Sequence, residues 1–122
     1  MDMRIELILL PSSDVDRTKA FYADRVGFVL DHDVEPGNGM RVVQLTPPGS
    51  SCSIGFGVGM IDPASPPLQG THLVVDDIEA TRERLSGNGV DVSAVQDVGG
   101  GIRYAYFTDP DGNSWALQEM RR

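Results

Sequence analysis

Alternation of apolar and polar positions divides the chain into short strands, and in two places the period lengthens to that of a helix. Ile5 to Leu10, interrupted only by Glu6, reads as a largely buried strand. Pro11 follows, then Ser12-Ser13-Asp14, a run of helix-capping residues. Val15, Thr18, Lys19, Ala20, Phe21 and Tyr22 supply an amphipathic stretch that ends before Gly27, a natural helix stop. Phe28 to Val34 is the next predicted strand, Pro36-Gly37-Asn38-Gly39 a hairpin turn, Met40 to Thr46 a third strand, and Cys52 to Val58 a fourth. The segment 59–68, with Pro63, Pro66 and Pro67, is an irregular linker. The order then restarts. A strand over Gln69 to Val75 leads to a helix capped by Asp76 or Asp77 and closed by Gly87-Asn88-Gly89. Strands Val90 to Val95, Ile102 to Thr108 and Ser114 to Met120 follow.

The restart is visible in the residues themselves. Gly39-Met40-Arg41-Val42-Val43-Gln44-Leu45-Thr46-Pro47-Pro48 reads like Gly101-Ile102-Arg103-Tyr104-Ala105-Tyr106-Phe107-Thr108-Asp109-Pro110, with Gly, Arg, Thr and Pro recurring 62 positions apart. Asp14-Val15-Asp16 answers Asp77-Ile78-Glu79 at a spacing of 63. The pattern predicts an α+β fold of two tandem βαβββ modules, 1–58 and 69–122, joined by 59–68 into a single domain of 1–122. A unit of about 55 residues buries too little alone, so each module is expected to pack on the other or on a partner chain.

Composition adds limits rather than a function. A length of 122 residues suits one domain, and 40% apolar with 23% charged residues is ordinary for a folded one. The formal charge of −8 argues against nucleic acid, because no basic stripe exists to displace counterions, and it weakly favours cationic ligands. Cys52 is the one cysteine and forms no internal disulfide, which fits a reducing compartment. No run approaches the roughly 20 apolar residues of a membrane helix. A cytoplasmic protein with no membrane association is expected.

Three features together resemble the vicinal oxygen chelate superfamily. Both helices open with Asp-Val-Asp or Asp-Ile-Glu, Phe21-Tyr22 precedes Gly27-Phe28, and the last module carries Phe107-Thr108-Asp109-Pro110-Asp111-Gly112-Asn113. That superfamily includes glyoxalase I, bleomycin-resistance proteins, fosfomycin-resistance enzymes and extradiol dioxygenases. The resemblance covers essentially the whole chain and implies curled mixed sheets around a cup, with helices outside and ligand inside. It does not fix a function, since the fold hosts lyases, transferases, oxygenases and non-catalytic binders.

The resemblance also says where metal ligands would stand. Counting back seven residues from the helix-opening aspartates gives Leu7 and Gly70, and counting on from Asp109 gives Ala116. The repeat spacing maps Ala116 onto Ile54 or Ser53. None carries an imidazole, carboxylate or amide, whereas a transition ion needs three or more such donors. Counting from Asp76 would substitute Gln69. A slip of two residues keeps the sheet face and recruits His72 and Gln118, with Leu9 or Ile5 on the first strand. No carboxylate joins any of these sets, so no metal and no cofactor are expected.

Strand parity then predicts what lines the cup. Leu7, Leu9, Gly70, His72, Val74, Ser114, Ala116, Gln118 and Met120 share one face; Val42, Gln44, Tyr104 and Tyr106 join them from the third strands. Cys52, Ile54 and Phe56 are further candidates from the fourth strand. Ile8, Leu10, Leu45, Leu73, Val75, Phe107, Trp115 and Leu117 fall beneath the helices. The expected ligand-binding set is Leu7, Leu9, Gln44, Cys52, Ile54, His72, Tyr104, Tyr106, Ala116 and Gln118, an apolar and aromatic surface with a few polar handles, suited to a small organic ligand. His32, flanked by Asp31 and Asp33, reads as a solvated surface residue. Cys52 lacks a basic neighbour in sequence and makes a poor nucleophile.

Two functions compete. One is a metal-free binder of the bleomycin-resistance type, a homodimer by resemblance, holding a cationic or aromatic small molecule. The other is a glyoxalase-like lyase, isomerase or epimerase with His72 as general base and Tyr104 or Tyr106 polarising a carbonyl; a metal-dependent member with atypical ligands is a variant of it. A domain kept only as an interaction module is a third possibility.

Overall fold

Strands with one apolar row need a partner layer, and in the computed structural model, which describes residues 1–120, each module supplies one helical layer. The chain divides into two units, Met1–Pro67 (module 1) and Leu68–Arg122 (module 2). Module 1 runs β1 (Leu7–Leu9), α1 (Val15–Ala20), a π-helical segment (Phe21–Val26), β2 (Val29–Gly37), β3 (Met40–Thr46) and β4 (Ser53–Val58). Module 2 runs β5 (Thr71–Val74), α2 (Ile78–Gly87), β6 (Gln96–Gly99), β7 (Ile102–Thr108) and β8 (Ser114–Met120). Both sheets are mixed and share one topology, β1-β4-β3-β2 and β5-β8-β7-β6, with the first strand parallel to the last and the other pairs antiparallel.

Local chemistry sets the boundaries. Asp14 and Asp77 each cap a helix, their carboxylates accepting the N–H groups of Arg17 at 3.2 Å and Ala80 at 3.0 Å. The first helix does not continue as an α-helix to Gly27. From Phe21 it widens, and the N–H groups of Gly27 and Phe28 both reach the carbonyl of Tyr22 at 2.9 Å. Gly27 ends it at φ 93°, in the left-handed region that glycine tolerates. Along this segment Phe21, Tyr22 and Val26 are all buried, and Tyr22 stacks on Phe28 with ring centroids 5.5 Å apart. The β2–β3 hairpin closes through Asn38 and Gly39, at φ 56° and 73°, the two left-handed positions of a type I′ turn.

One predicted strand is not formed. Val90 to Val95 reads as alternating, and Val90 and Val92 are indeed buried, but the ladder of β6 begins only at Gln96. The reason is a competing donor: Arg82 of α2 takes the carbonyls of Ser93 and Val92 at 2.6 and 3.4 Å. Ser93 still donates its N–H to the carbonyl of Tyr106 at 2.9 Å, but the return bond from the Tyr106 N–H goes to the Ser93 hydroxyl, also at 2.9 Å.

Each sheet has one packed face. In module 1 it carries Ile54, Leu45, Val43 and Phe56 together with the aromatic residues of the π-helical segment; in module 2 it carries Trp115, Leu117, Ala105 and Phe107 with Ile78 and Leu85 of α2. The recurring arginines belong to this face. Arg41 bridges Asp16 of α1 at 2.8 Å, and Arg103 bridges Glu79 of α2 at 2.6 Å, so both fasten a third strand to the acidic second residue of the module's helix. Arg103 also meets Glu119 at 3.3 Å, a carboxylate only 3% exposed whose other oxygen accepts the Ile78 N–H. Arg41 instead meets Asp33, whose Oδ2 also accepts from Lys19 at 2.7 Å. The hydrogen bonds from Arg41 and then Lys19 hold the Asp33 carboxyl far below the usual carboxylate range; Asp33 and Asp16 in turn push the Arg41 guanidinium upward.

The Asp109–Asn113 turn is fastened from within. The Asp109 carboxylate accepts the N–H of Asp111 and Asn113 and the Asn113 amide, while Asn113 Oδ1 accepts the Leu68 N–H at 2.9 Å. This ties the entry of β5 to the entry of β8.

Candidate functional site

The helix-free faces are where unusual exposure lies. Strand register assigns their rows directly, because residues paired across a sheet share a face. In module 1 one row is His32–Gln44–Gly55–Leu9, flanked by Val29–Thr46–Ser53–Leu7 and Val34–Val42–Gly57. In module 2 the rows are Tyr106–Ala116–His72 and Gln96–Tyr104–Gln118–Val74. Leu7, Leu9 and Gln44 therefore lie together, as do His72, Tyr104, Tyr106, Ala116 and Gln118.

Ile54 does not join them. It pairs with Ile8 and Leu45 on the helix-packed face and is buried, as is Phe56. The repeat spacing is what misleads. Arg41 and Arg103 stand 62 apart, but the residues opposite them, Val58 and Glu119, stand 61 apart, because the turn before β4 is one residue longer than the turn before β8. The counterpart of Ala116 is thus Gly55, and one residue of slip reverses the face. Cys52 precedes β4, is half-buried, and points its thiol at the carbonyl of Ser53 at 3.6 Å. Gly70, at φ 72°, lies just outside β5, and its N–H donates to the Ser114 hydroxyl at 2.8 Å.

The module 1 face is aliphatic and cut low. The Leu7 and Leu9 side chains lie over Gly55, where an added Cβ would sit 3.1 and 3.3 Å from their terminal methyls. Polar groups gather at one side: the Thr46 hydroxyl bonds to the Asp31 carboxylate and to the Ser53 hydroxyl, the latter at 2.7 Å. Periodicity marks neither Asp31 nor His32 as part of this face. A bulge between Leu30 and His32 turns Asp31 toward Thr46, and His32 falls opposite Gln44.

The module 2 face is aromatic. His72 meets Tyr104 edge-on at 5.7 Å, and Tyr104 stacks against Tyr106 at 6.1 Å with planes 16° apart. Tyr106 is 42% and Val74 63% exposed, high values for apolar side chains on a sheet. His72 is oriented from below: its Nδ1 lies 2.6 Å from the Gly70 carbonyl. A carbonyl only accepts, which assigns the proton to Nδ1 and, in the neutral ring, a free lone pair to Nε2.

These residues do not fit a transition-metal ion. His72 stands opposite Ala116 and Tyr106, neither a usual ligand, and among the described residues no three His, Cys, Asp or Glu side chains converge. Nor is any helix among them long and apolar enough to cross a membrane.

Duplicated βαβββ modules with a packed and an open sheet face define a class, and sequence comparison names it. The chain belongs to the Glyoxalase/Bleomycin resistance protein/Dioxygenase superfamily, whose profile matches residues 4–117. Among solved structures it is similar to TnmS3, an antibiotic binding protein from Streptomyces sp. CB03234, with 35% identity, 98% of each chain covered and a TM-score of 0.83. A glyoxalase/bleomycin resistance protein from the same Streptomyces is 36% identical, over 93% of this chain and 98% of that one, with a TM-score of 0.77. CFP32 of Mycobacterium bovis, named as a candidate glyoxylase, is 26% identical over 118 residues. That match takes 93% of this chain and 44% of the relative, so the chain spans less than half the length of the curated relatives it matches.

Proposed function

We propose that the protein binds a planar aromatic small molecule on the helix-free face of module 2, with Tyr104, Tyr106 and His72 as the stacking surface. The observation that carries this reading is the row of three rings on β5 and β7, His72 and Tyr106 exposed and Tyr104 half-buried between them, held in register by the ladder and by the Gly70 carbonyl. On the same face Gln118 stands opposite Tyr104 and supplies a hydrogen-bonding group. Similarity over the full length to an antibiotic binding protein supports a binding role, and the formal charge of −8 favours cationic over anionic ligands. By resemblance to bleomycin-resistance-type proteins it acts as a homodimer, and its single cysteine suits the cytoplasm.

Calorimetric titration of the full chain with a panel of planar aromatic compounds tests this. Tyr104→Ala is expected to weaken binding about tenfold, the worth of one good aromatic contact in a desolvated setting. No binding across the panel, or an affinity indifferent to Tyr104→Ala, overturns it.

A second reading keeps the same face but adds chemistry. The lone pair assigned to His72 Nε2 suits it to take a proton from a bound carbonyl compound, with a tyrosine hydroxyl polarising the oxygen. Turnover of an α-hydroxy carbonyl substrate that is lost in His72→Gln, with ligand affinity retained, supports it.

A further inference from the structure

The open face of module 2 does not stop at Tyr106. Ser93 and Tyr106 are hydrogen-bonded neighbours across the edge of β7, and beyond them Asp91 lines the same hollow as Thr108, which pairs with Ser114. Here the surface sinks into a hollow of about 290 Å³, with Tyr106 on one wall and Asp91, Thr108 and Ser114 among its lining. The polar groups of this hollow differ in availability. The Ser93 and Ser114 hydroxyls are engaged with backbone or Gln69. Among the described residues the Asp91 carboxylate and the hydroxyls of Thr108 and Tyr106 have no partner, and Asp91 and Thr108 are exposed.

We propose that this hollow receives an amino sugar carried by the aromatic ligand, a specification that rests on the binding role proposed above. Size comes first: pockets that take a drug-sized molecule run from roughly 300 to 1,000 Å³, so this one suits a single ring rather than a whole ligand. Chemistry comes second. An unpaired carboxylate on an acidic protein selects a protonated amine, free hydroxyls match a hydroxylated ring, and the Tyr106 ring attracts the cation across its face. Continuity comes third. Tyr106 belongs both to the stacked row and to the hollow, so one molecule can lay its planar part on Tyr104 and Tyr106 and its sugar against Asp91.

The test compares a hydroxyanthraquinone, the same ring system bearing an aminohexose, and the N-acetylated conjugate, each titrated into the full chain. The amine-bearing conjugate is expected to bind roughly fivefold tighter than the bare ring, the scale of an exposed ion pair. N-acetylation and Asp91→Asn are each expected to abolish that advantage while leaving the bare ring's affinity unchanged, and added salt to shrink it. An advantage that survives Asp91→Asn, or a conjugate that binds no tighter than the bare ring, overturns the amino-sugar assignment and leaves the aromatic face standing. Failure of all three compounds to bind overturns both.

Discussion

Module 1 lays leucines, valines and two glycines along its helix-free face where module 2 lays two tyrosines and a histidine, yet beneath these faces the two are built alike. The strand order is the same, each helix is capped by an aspartate, and each third strand sends an arginine to the acidic second residue of its helix. The packed face answers to a close-fitting core, where a methylene gained or lost is felt. The open face answers only to what is laid on it.

The sharpest way to break that contrast is to truncate one tyrosine on each side. Tyr22 is fully buried against Phe21, Phe28 and Phe56, so Tyr22→Ala is expected to cost about 3–5 kcal/mol. Tyr104→Ala on the open face is expected to cost about 1 kcal/mol. Urea denaturation of the two variants checks this, and equal losses would make the open face a core after all.

Next in size is the arginine clamp, alike in geometry but not in setting. Arg103→Met leaves the Glu119 charge, 3% exposed, without its guanidinium, and is expected to cost about 3 kcal/mol. Arg41→Met leaves an exposed Asp16 and a partly exposed Asp33 that keeps Lys19, and is expected to cost about 1 kcal/mol. The same denaturation series measures both.

The smallest effect is visible only in acid. Asp33 is held far below its ordinary value in the folded state, so the unfolded chain binds its proton first. Its contribution is complete above about pH 4, the unfolded carboxylate range, and is lost as pH falls below that toward the folded value. Asp33→Asn is expected to flatten the acid limb of a stability–pH curve in this window. Module 2 has no such trio, since Asp33 pairs with Val43 whereas the corresponding Ala105 lies beyond the first rung of β6.

Much of this was legible in the residues. The faces of β3 and β7 follow from alternation, because each has one buried row, Val43 with Leu45 and Ala105 with Phe107, and a two-residue period leaves no choice. The duplication, both capping aspartates and the hairpin at Asn38-Gly39 follow from local chemistry. Three features do not. The face of Ile54 depends on the length of the turn before β4, which a repeat spacing taken from β3 misjudges by one. The end of the strand predicted over Val90 to Val95 is decided by Arg82, distant in sequence, claiming its carbonyls. The widening of the first helix at Phe21 is fixed by three-dimensional packing of Tyr22. Asp91 and Asp31 carry no signal in the sequence for the same reason: their places depend on hydrogen bonds and a bulge that no periodicity records.

Gly55 and Ala116 occupy the same rung of their sheets and differ by a single carbon. At Gly55 no left-handed backbone angle demands glycine; what an added methyl would meet is the flexible ends of Leu7 and Leu9. The depth of the module 1 surface is therefore adjustable in steps of one atom by point mutation alone, with only two leucine side-chain ends asked to yield.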